Sequence, residues 1–432
     1  MQENLKRSIG VFGMATAVVN MTIGTGIFVL PALAAEYLGA AAILAFFIGG
    51  LLIFFIALCF AEVGSKVTVS GGAYTYIESA FGPYAGFVAN ILFIMSCVFS
   101  DAGTAAALSK TLSFFWPVLD TSTVRSLFFL LLFGGLAYIN IRGAKHGLRL
   151  VMFASLAKLI PLLLLIAFGT AHIQMENLAW EKTFSFQDIG SATLILFYAF
   201  LGLETAVVNG GEIKNPGRTV PLGIISGLLF VLGIYIAIQL ISQGILGNQL
   251  AAAQEAPLVE VSKIIFGKVG ISMMVAGTAI SMIGSISGEV LGIPRTLYAG
   301  ARNGMYPQLL AREHTKFFTP YWAIAFYSVI GFLLAVLGVF KQLIILSSAT
   351  MLLLYLGVAL STLTLRRKRM PSAKKTFTVP GGFIIPVAAA ITIIWVLSNL
   401  SKQELMGTGF TLIVLTVIYF LVKWAKDKKV VK

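Results

Sequence analysis

NMTIGTGIFVLP, residues 20–31, places Gly24, Thr25 and Gly26 inside an apolar run long enough to cross a bilayer. Glycine in a helix interior costs about 1 kcal/mol relative to alanine, and two of them around a β-branched threonine make unwinding cheap. At bilayer depth, unpaired backbone groups survive only where protein buries them or where they line a cavity. The stretch therefore predicts a broken helix whose break is a binding site.

The surrounding composition sets the class. Of 432 residues, 58% are hydrophobic and 11% charged, and the mean hydropathy is +0.93, whereas soluble domains carry roughly 25% charged residues. An all-α polytopic membrane protein is expected. Cys59 and Cys97 lie in separate apolar segments without CxxC spacing, so neither a disulfide framework nor a metal site is indicated. No cleavable signal is expected, because the apolar run after Lys6 and Arg7 is too long for one.

Twelve apolar segments of spanning length follow in order. They cover residues 10–36, 40–63, 84–113, 124–141, 150–171 and 190–211, then 219–243, 268–301, 319–338, 342–365, 379–399 and 406–424. With the N-terminus in the cytoplasm, the basic residues gather on one side: Arg142, Lys145, Arg149, Lys214, Arg218, Arg302, Arg312 and Lys316. Arg366, Arg367, Lys368, Arg369, Lys374 and Lys375 join them, as do the tail residues Lys423, Lys426, Lys428, Lys429 and Lys432. The opposite loops carry Asp120, Glu176, Glu181, Asp188, Glu255 and Glu260. This asymmetry predicts cytoplasmic termini. It also accounts for the net charge of +14 without nucleic acid, since the cations sit at every turn on one side instead of on one face.

Segment six carries a second interruption. FYAFLGLET, residues 197–205, puts Gly202 and a carboxylate, Glu204, in mid-span, and GGEIKNPGRTVP, residues 210–221, supplies the turn that ends it. Segments one and six open two five-segment halves. With an odd number of segments in each, the second half runs inverted, and interrupted segments at matching positions point to a transporter site. The expected divisions are residues 1–171, 172–366 and 367–432, the last holding segments eleven and twelve and a basic tail.

IGTGIFVLP, GLE with GEIKNPGRTVP, and ARNGMYP at residues 301–307 resemble motifs of the amino acid-polyamine-organocation superfamily of permeases. SGGAYTYIESAFGP after segment two and FTVPGGFIIP before segment eleven are similar to the same family. The resemblance implies twelve transmembrane helices with the 5+5 inverted repeat of the LeuT fold and discontinuous helices one and six. It also implies a secondary active transporter in the cell membrane, without a cofactor, working on a small amino acid within the lipid bilayer.

Against that background the break acquires chemistry. Amides of Thr25 and Gly26 at a half-helix N-terminus suit a carboxylate, while carbonyls near Thr22, Tyr198 and Leu201 suit an ammonium group; Ile23, Gly24 and Gly202 complete the expected substrate site. A Gly-x-Gly packing notch is the alternative. Lys158 lies about two turns inside segment five. By resemblance its amine points where sodium-coupled relatives hold an ion, towards carbonyls near Gly24 and the hydroxyl of Ser285; otherwise it snorkels. Because desolvation favours neutral amines, coupling to protons, or exchange, is expected in place of sodium dependence.

Each mid-membrane acid costs roughly 2.5–3.5 kcal/mol and so calls for a partner or a role. Glu204 is either a proton-sensitive link or a carboxylate satisfying unwound amides. Asp101 stands where the resemblance to arginine and agmatine antiporters places an asparagine near the substrate side chain, and an aspartate there would favour a cationic side chain or an amine lacking the carboxylate; it could equally pair with a pocket lysine or face another helix. Glu289, beside Ser285 and Ser287, has no assigned role. Tyr198 is the expected aromatic gate by the same resemblance, with Phe200 the alternative.

The only histidines, His146, His172 and His314, lie near loops without an HExxH pattern, and no nucleophile and base pair stands out, so an enzyme is not expected. No filter loop suggests a channel. The expectation is an α-amino acid transporter, proton-coupled or exchanging, with a neutral substrate favoured. A cationic amino acid or amine antiporter and a non-transporting sensor on the same fold are the alternatives. Nothing in the sequence sets the oligomeric state.

Overall fold

The computed structural model describes residues 9–67, 71–143, 154, 157–180, 182–207, 212–302, 304–367 and 376–430. Lys6, Arg7, Ser70, Lys145, His146, Arg149, Glu181, Gly210, Gly211, Lys368, Arg369, Lys374, Lys375 and Lys432 lie outside the described residues.

The described chain is helical, and its one β-type contact is an isolated bridge between Ile9 and Ile213. The helices are α1 (Val11–Thr22), α2 (Gly26–Leu38), α3 (Ala42–Lys66), α4 (Ala73–Phe81) and α5 (Pro83–Ser113). Then come α6 (Ser122–Arg142), α7 (Leu159–Gly169), α8 (Phe186–Phe197), α9 (Leu203–Ala206) and α10 (Pro216–Leu246). The series ends with α11 (Pro257–Arg302), α12 (Tyr321–Leu337), α13 (Phe340–Arg367), α14 (Ile384–Leu397) and α15 (Lys402–Val430). Each of the twelve apolar segments contains described helix. Among the described residues, 8 helical stretches are long and apolar enough to cross a membrane, and Val11–Thr22, Leu159–His172, Tyr321–Leu337 and Ile384–Leu397 are shorter apolar helices.

Local chemistry fixes several boundaries. Pro83 and Pro216 open α5 and α10, where a helix has no acceptor for the missing N–H in any case. Ser185 and Asp188 form a reciprocal capping box at the start of α8, an arrangement that satisfies two otherwise orphaned amides. Helix α11 begins eleven residues before segment eight and changes direction at Gly267, where φ is 61°. Helix α4 falls between two apolar segments and is too short for hydropathy to reveal.

Burial separates the inner helices from the outer ones. Helices α5 and α13 pack along each other, α10 packs on both α1 and α3, and α11 lies against α5. By contrast only 6% of the most apolar window of α15 is buried, and Phe410, Ile413, Val417 and Leu421 face outward. An apolar outer surface of this kind suits hydrocarbon instead of water. At one end of the bundle, fully buried Glu62 accepts from Arg366 Nε at 2.7 Å, Lys66 Nζ at 2.7 Å and the Val379 amide at 2.8 Å. That carboxylate joins α3, α13 and the entry to α14, and the donors of these three residues offset the cost of burying a charge.

Candidate substrate site at two helix breaks

Both predicted interruptions are present. Helix α1 stops at Thr22, Ile23 leaves helical geometry with ψ at 89°, and α2 starts at Gly26. The Gly24 amide turns back to the Thr22 carbonyl at 2.9 Å. The first amides of α2 have no intrahelical acceptor and sit at the positive end of its dipole. In the second break, α8 gives way to a turn at Tyr198–Phe200, and Gly202 takes φ of 116° before α9.

Glycine is required where these breaks meet. A Cβ on Gly26 would lie 2.7 Å from Ala199 Cα, closer than side chains tolerate. At Gly202 the left-handed φ suits a residue without Cβ, and a Cβ there would also run into the Met21 carbonyl. Tyr235 of α10, fully buried, ties the two breaks together: its hydroxyl is 2.9 Å from the Thr22 carbonyl and 2.7 Å from that of Ala199. A hydroxyl carries one proton, so the two carbonyls share it. The expected free carbonyls at Thr22 and Tyr198 are thus engaged within the protein, the latter by the Leu201 amide at 3.3 Å.

A cavity of about 260 Å³ opens on both breaks. Its wall includes Thr22, Gly24, Thr25, Gly26, Tyr198, Leu201, Gly202, Glu204, Lys158 and Ser285 from the predicted set. Ile23, Asp101 and Phe200 are buried and stand outside that wall. Phe200 packs its ring against Tyr235 with centroids 5.4 Å apart, whereas the Tyr198 hydroxyl reaches Ser100 Oγ at 3.2 Å and Thr104 Oγ1 at 3.1 Å. Thr104 also meets Thr25 Oγ1 at 2.9 Å, which anchors α2 and the second break to α5.

The ionisable groups are buried and specifically bonded. Lys158, 7% exposed, donates to the Asn20 carbonyl at 2.5 Å. The partner is therefore in the last turn of α1, four residues before Gly24. Ser285 lies instead beside Gly24, its Oγ 3.6 Å from where a Cβ would stand. Glu204 receives the Gly202 amide at 3.1 Å on each carboxylate oxygen and the Tyr355 hydroxyl. Asp101 points to Tyr327, whose hydroxyl it accepts at 2.9 Å. Sequence reasoning missed Tyr235, Tyr327 and Tyr355, because a tyrosine in an apolar segment gives no sign of whether it faces lipid or the interior.

The two free cysteines provide a probe of this cavity. Cys97 lies on its wall, while Cys59 is fully buried elsewhere. A small methanethiosulfonate reagent should therefore label Cys97 alone, and a mixture of the common amino acids should slow it. Equal labelling of both thiols, or unprotected labelling of Cys97, would remove the cavity from consideration as a substrate site.

Comparison with known proteins places this geometry. Residues 9–422 match the amino acid permease family. The chain belongs to that family. Its relatives include the serine/threonine exchanger SteT of Bacillus subtilis (strain 168), 28% identical over 419 residues, covering 95% of this chain and 94% of that protein. The branched-chain amino acid permease BcaP of the same organism is 26% identical over 441 residues, covering 97% and 94%. An arginine/agmatine antiporter of Chlamydia trachomatis serovar L2 is 30% identical over 330 residues, covering 71% and 67%. This permease is accordingly a multi-pass membrane protein of the amino acid-polyamine-organocation superfamily and a transporter, not an enzyme.

Proposed function

We propose that this permease is a secondary active transporter that moves an α-amino acid across the cytoplasmic membrane by alternating access. The observation that carries the proposal is the single cavity shared by the breaks at residues 23–25 and 198–202. In this reading the chain has twelve transmembrane helices, a 5+5 inverted repeat over residues 1–171 and 172–366, and two further helices in 367–432. Both termini are cytoplasmic. Thr25 and Gly26 hold the substrate carboxylate, Leu201 and its neighbours receive the ammonium group, and Tyr198 is the gate. The relatives named for serine and threonine, branched-chain amino acids, and arginine with agmatine support the class without choosing a side chain.

The voids have a direction. A second cavity along α1, lined by Ile9, Gly13, Ala17, Met21 and Thr205 among others, shares Met21 and Thr205 with the first. In this reading access lies on the N-terminal side of α1, a placement that the two adjoining cavities support. At the far end of α2, Glu36 pairs with Lys341 at 3.0 Å, and its carbonyl accepts from Lys182 at 2.5 Å. Opening on that side requires those contacts to part.

Coupling is assigned to Lys158, with Glu204 and Ser285 as its supporting groups. A buried amine against the end of α1 gives a proton, in place of sodium, a way to bias the break. In sodium-free proteoliposomes an inward pH gradient should drive accumulation of labelled amino acid. Strict dependence on sodium would refute this coupling.

A further inference from the structure

We infer that Glu289 forms a subsite for a positively charged side chain, so that the transported substrate is a basic amino acid or the corresponding amine. The inference rests on the transport reading above and assigns a substrate class to the same cavity. Glu289 of α11 lies on the cavity wall, and Asp101 of α5 is buried behind it. Tyr327 of α12, fully buried, stands between them, its hydroxyl 2.9 Å from Asp101 Oδ2 and 3.4 Å from Glu289 Oε2.

The hydrogen-bond supply of this trio is uneven. One hydroxyl has one proton to give, and the shorter distance assigns it to Asp101. Among the described residues, no Lys, Arg or His forms an ion pair with Asp101 or Glu289. Lys158, the only basic residue on the cavity wall among the described residues, gives its amine to Asn20. Glu204, the other acid on the wall, is already supplied with donors by Gly202 and Tyr355. Glu289 is left with the longer contact to Tyr327 and the thiol of Cys97, a weak donor, so of these two wall carboxylates it has the weaker internal partners, and buried carboxylates call for a cation or a donor. An ammonium or guanidinium group entering the cavity provides both. Asp101, turned towards Tyr327, acts as a positioning residue that fixes the hydroxyl and leaves Glu289 to the cavity.

The test compares ligands of matched shape and different charge on the purified full chain in nanodiscs: arginine with citrulline, and lysine with norleucine. The wild type should prefer the charged member of each pair, and Glu289→Gln should lower that preference about tenfold. Glu289→Asp should keep most of it. A wild type that binds the neutral member equally well or better overturns the subsite but leaves amino acid transport standing. An unchanged preference in Glu289→Gln overturns it also, because the charge would then be read elsewhere. If no amino acid binds at all, the transport reading fails together with the subsite. The wild-type comparison decides the matter even if the variants do not fold.

Discussion

A Gly26→Leu variant should bind the transported amino acid about a hundredfold more weakly than the wild type, the loss expected from roughly 3 kcal/mol of charge-assisted amide hydrogen bonds. The cause lies in the close approach of the two breaks, since the first atom of any side chain at this position meets Ala199 Cα at 2.7 Å. Leucine should force α2 away from the second break and misdirect the amides at its start, which the proposed function assigns to the substrate carboxylate. Equilibrium binding in detergent is the measurement, with monodisperse elution as the control for folding. Unchanged affinity in a folded variant would show that the carboxylate is held elsewhere.

Lys158→Ala is the second large effect. The substitution should abolish accumulation driven by an inward pH gradient, while affinity at equal pH changes only a few-fold. The separation follows from position, because the amine bonds to the Asn20 carbonyl in the last turn of α1 and not to the amides at the start of α2. Gradient-driven accumulation and binding are measured on the same preparation. A variant that still follows the pH gradient like the wild type would place coupling on another group.

Both breaks were legible in the sequence because glycine reports on the backbone itself. Gly24, Gly26 and Gly202 interrupt apolar runs in which helix is otherwise uncontested, and the structure breaks at those places. Burial of Lys158 and Glu204 followed from their depth in segments five and six. Side-chain direction was not legible. Tyr198 and Phe200 are two residues apart in a segment that changes from α-helix to a tighter turn, so ordinary helical spacing cannot tell which one faces the cavity. Asp101 was equally open, since facing the cavity and facing another helix both offset a buried charge; α12 decided it by bringing Tyr327 within 2.9 Å. Tyr235 gave no signal because its two carbonyl partners are 213 and 36 residues away in the chain. Helix α4 and the bend at Gly267 escaped notice because hydropathy finds long apolar runs, not short helices between them or changes of direction.

The tyrosine contacts also organise the site. Tyr235 holds both breaks, Tyr355 holds the acid beside the second break, and Tyr327 links the two acids of α5 and α11. Each hydroxyl brings one proton to buried oxygen atoms that would otherwise be costly. The polar framework of the cavity is therefore held in part by groups on α10, α12 and α13.

Counterflow tests the central claim most directly. Sodium-free proteoliposomes at equal pH, loaded with one unlabelled amino acid and diluted into a trace of the same labelled compound, should take up the label transiently above equilibrium for at least one of the common amino acids. Uptake that never exceeds protein-free vesicles for any common amino acid or its amine would contradict the account.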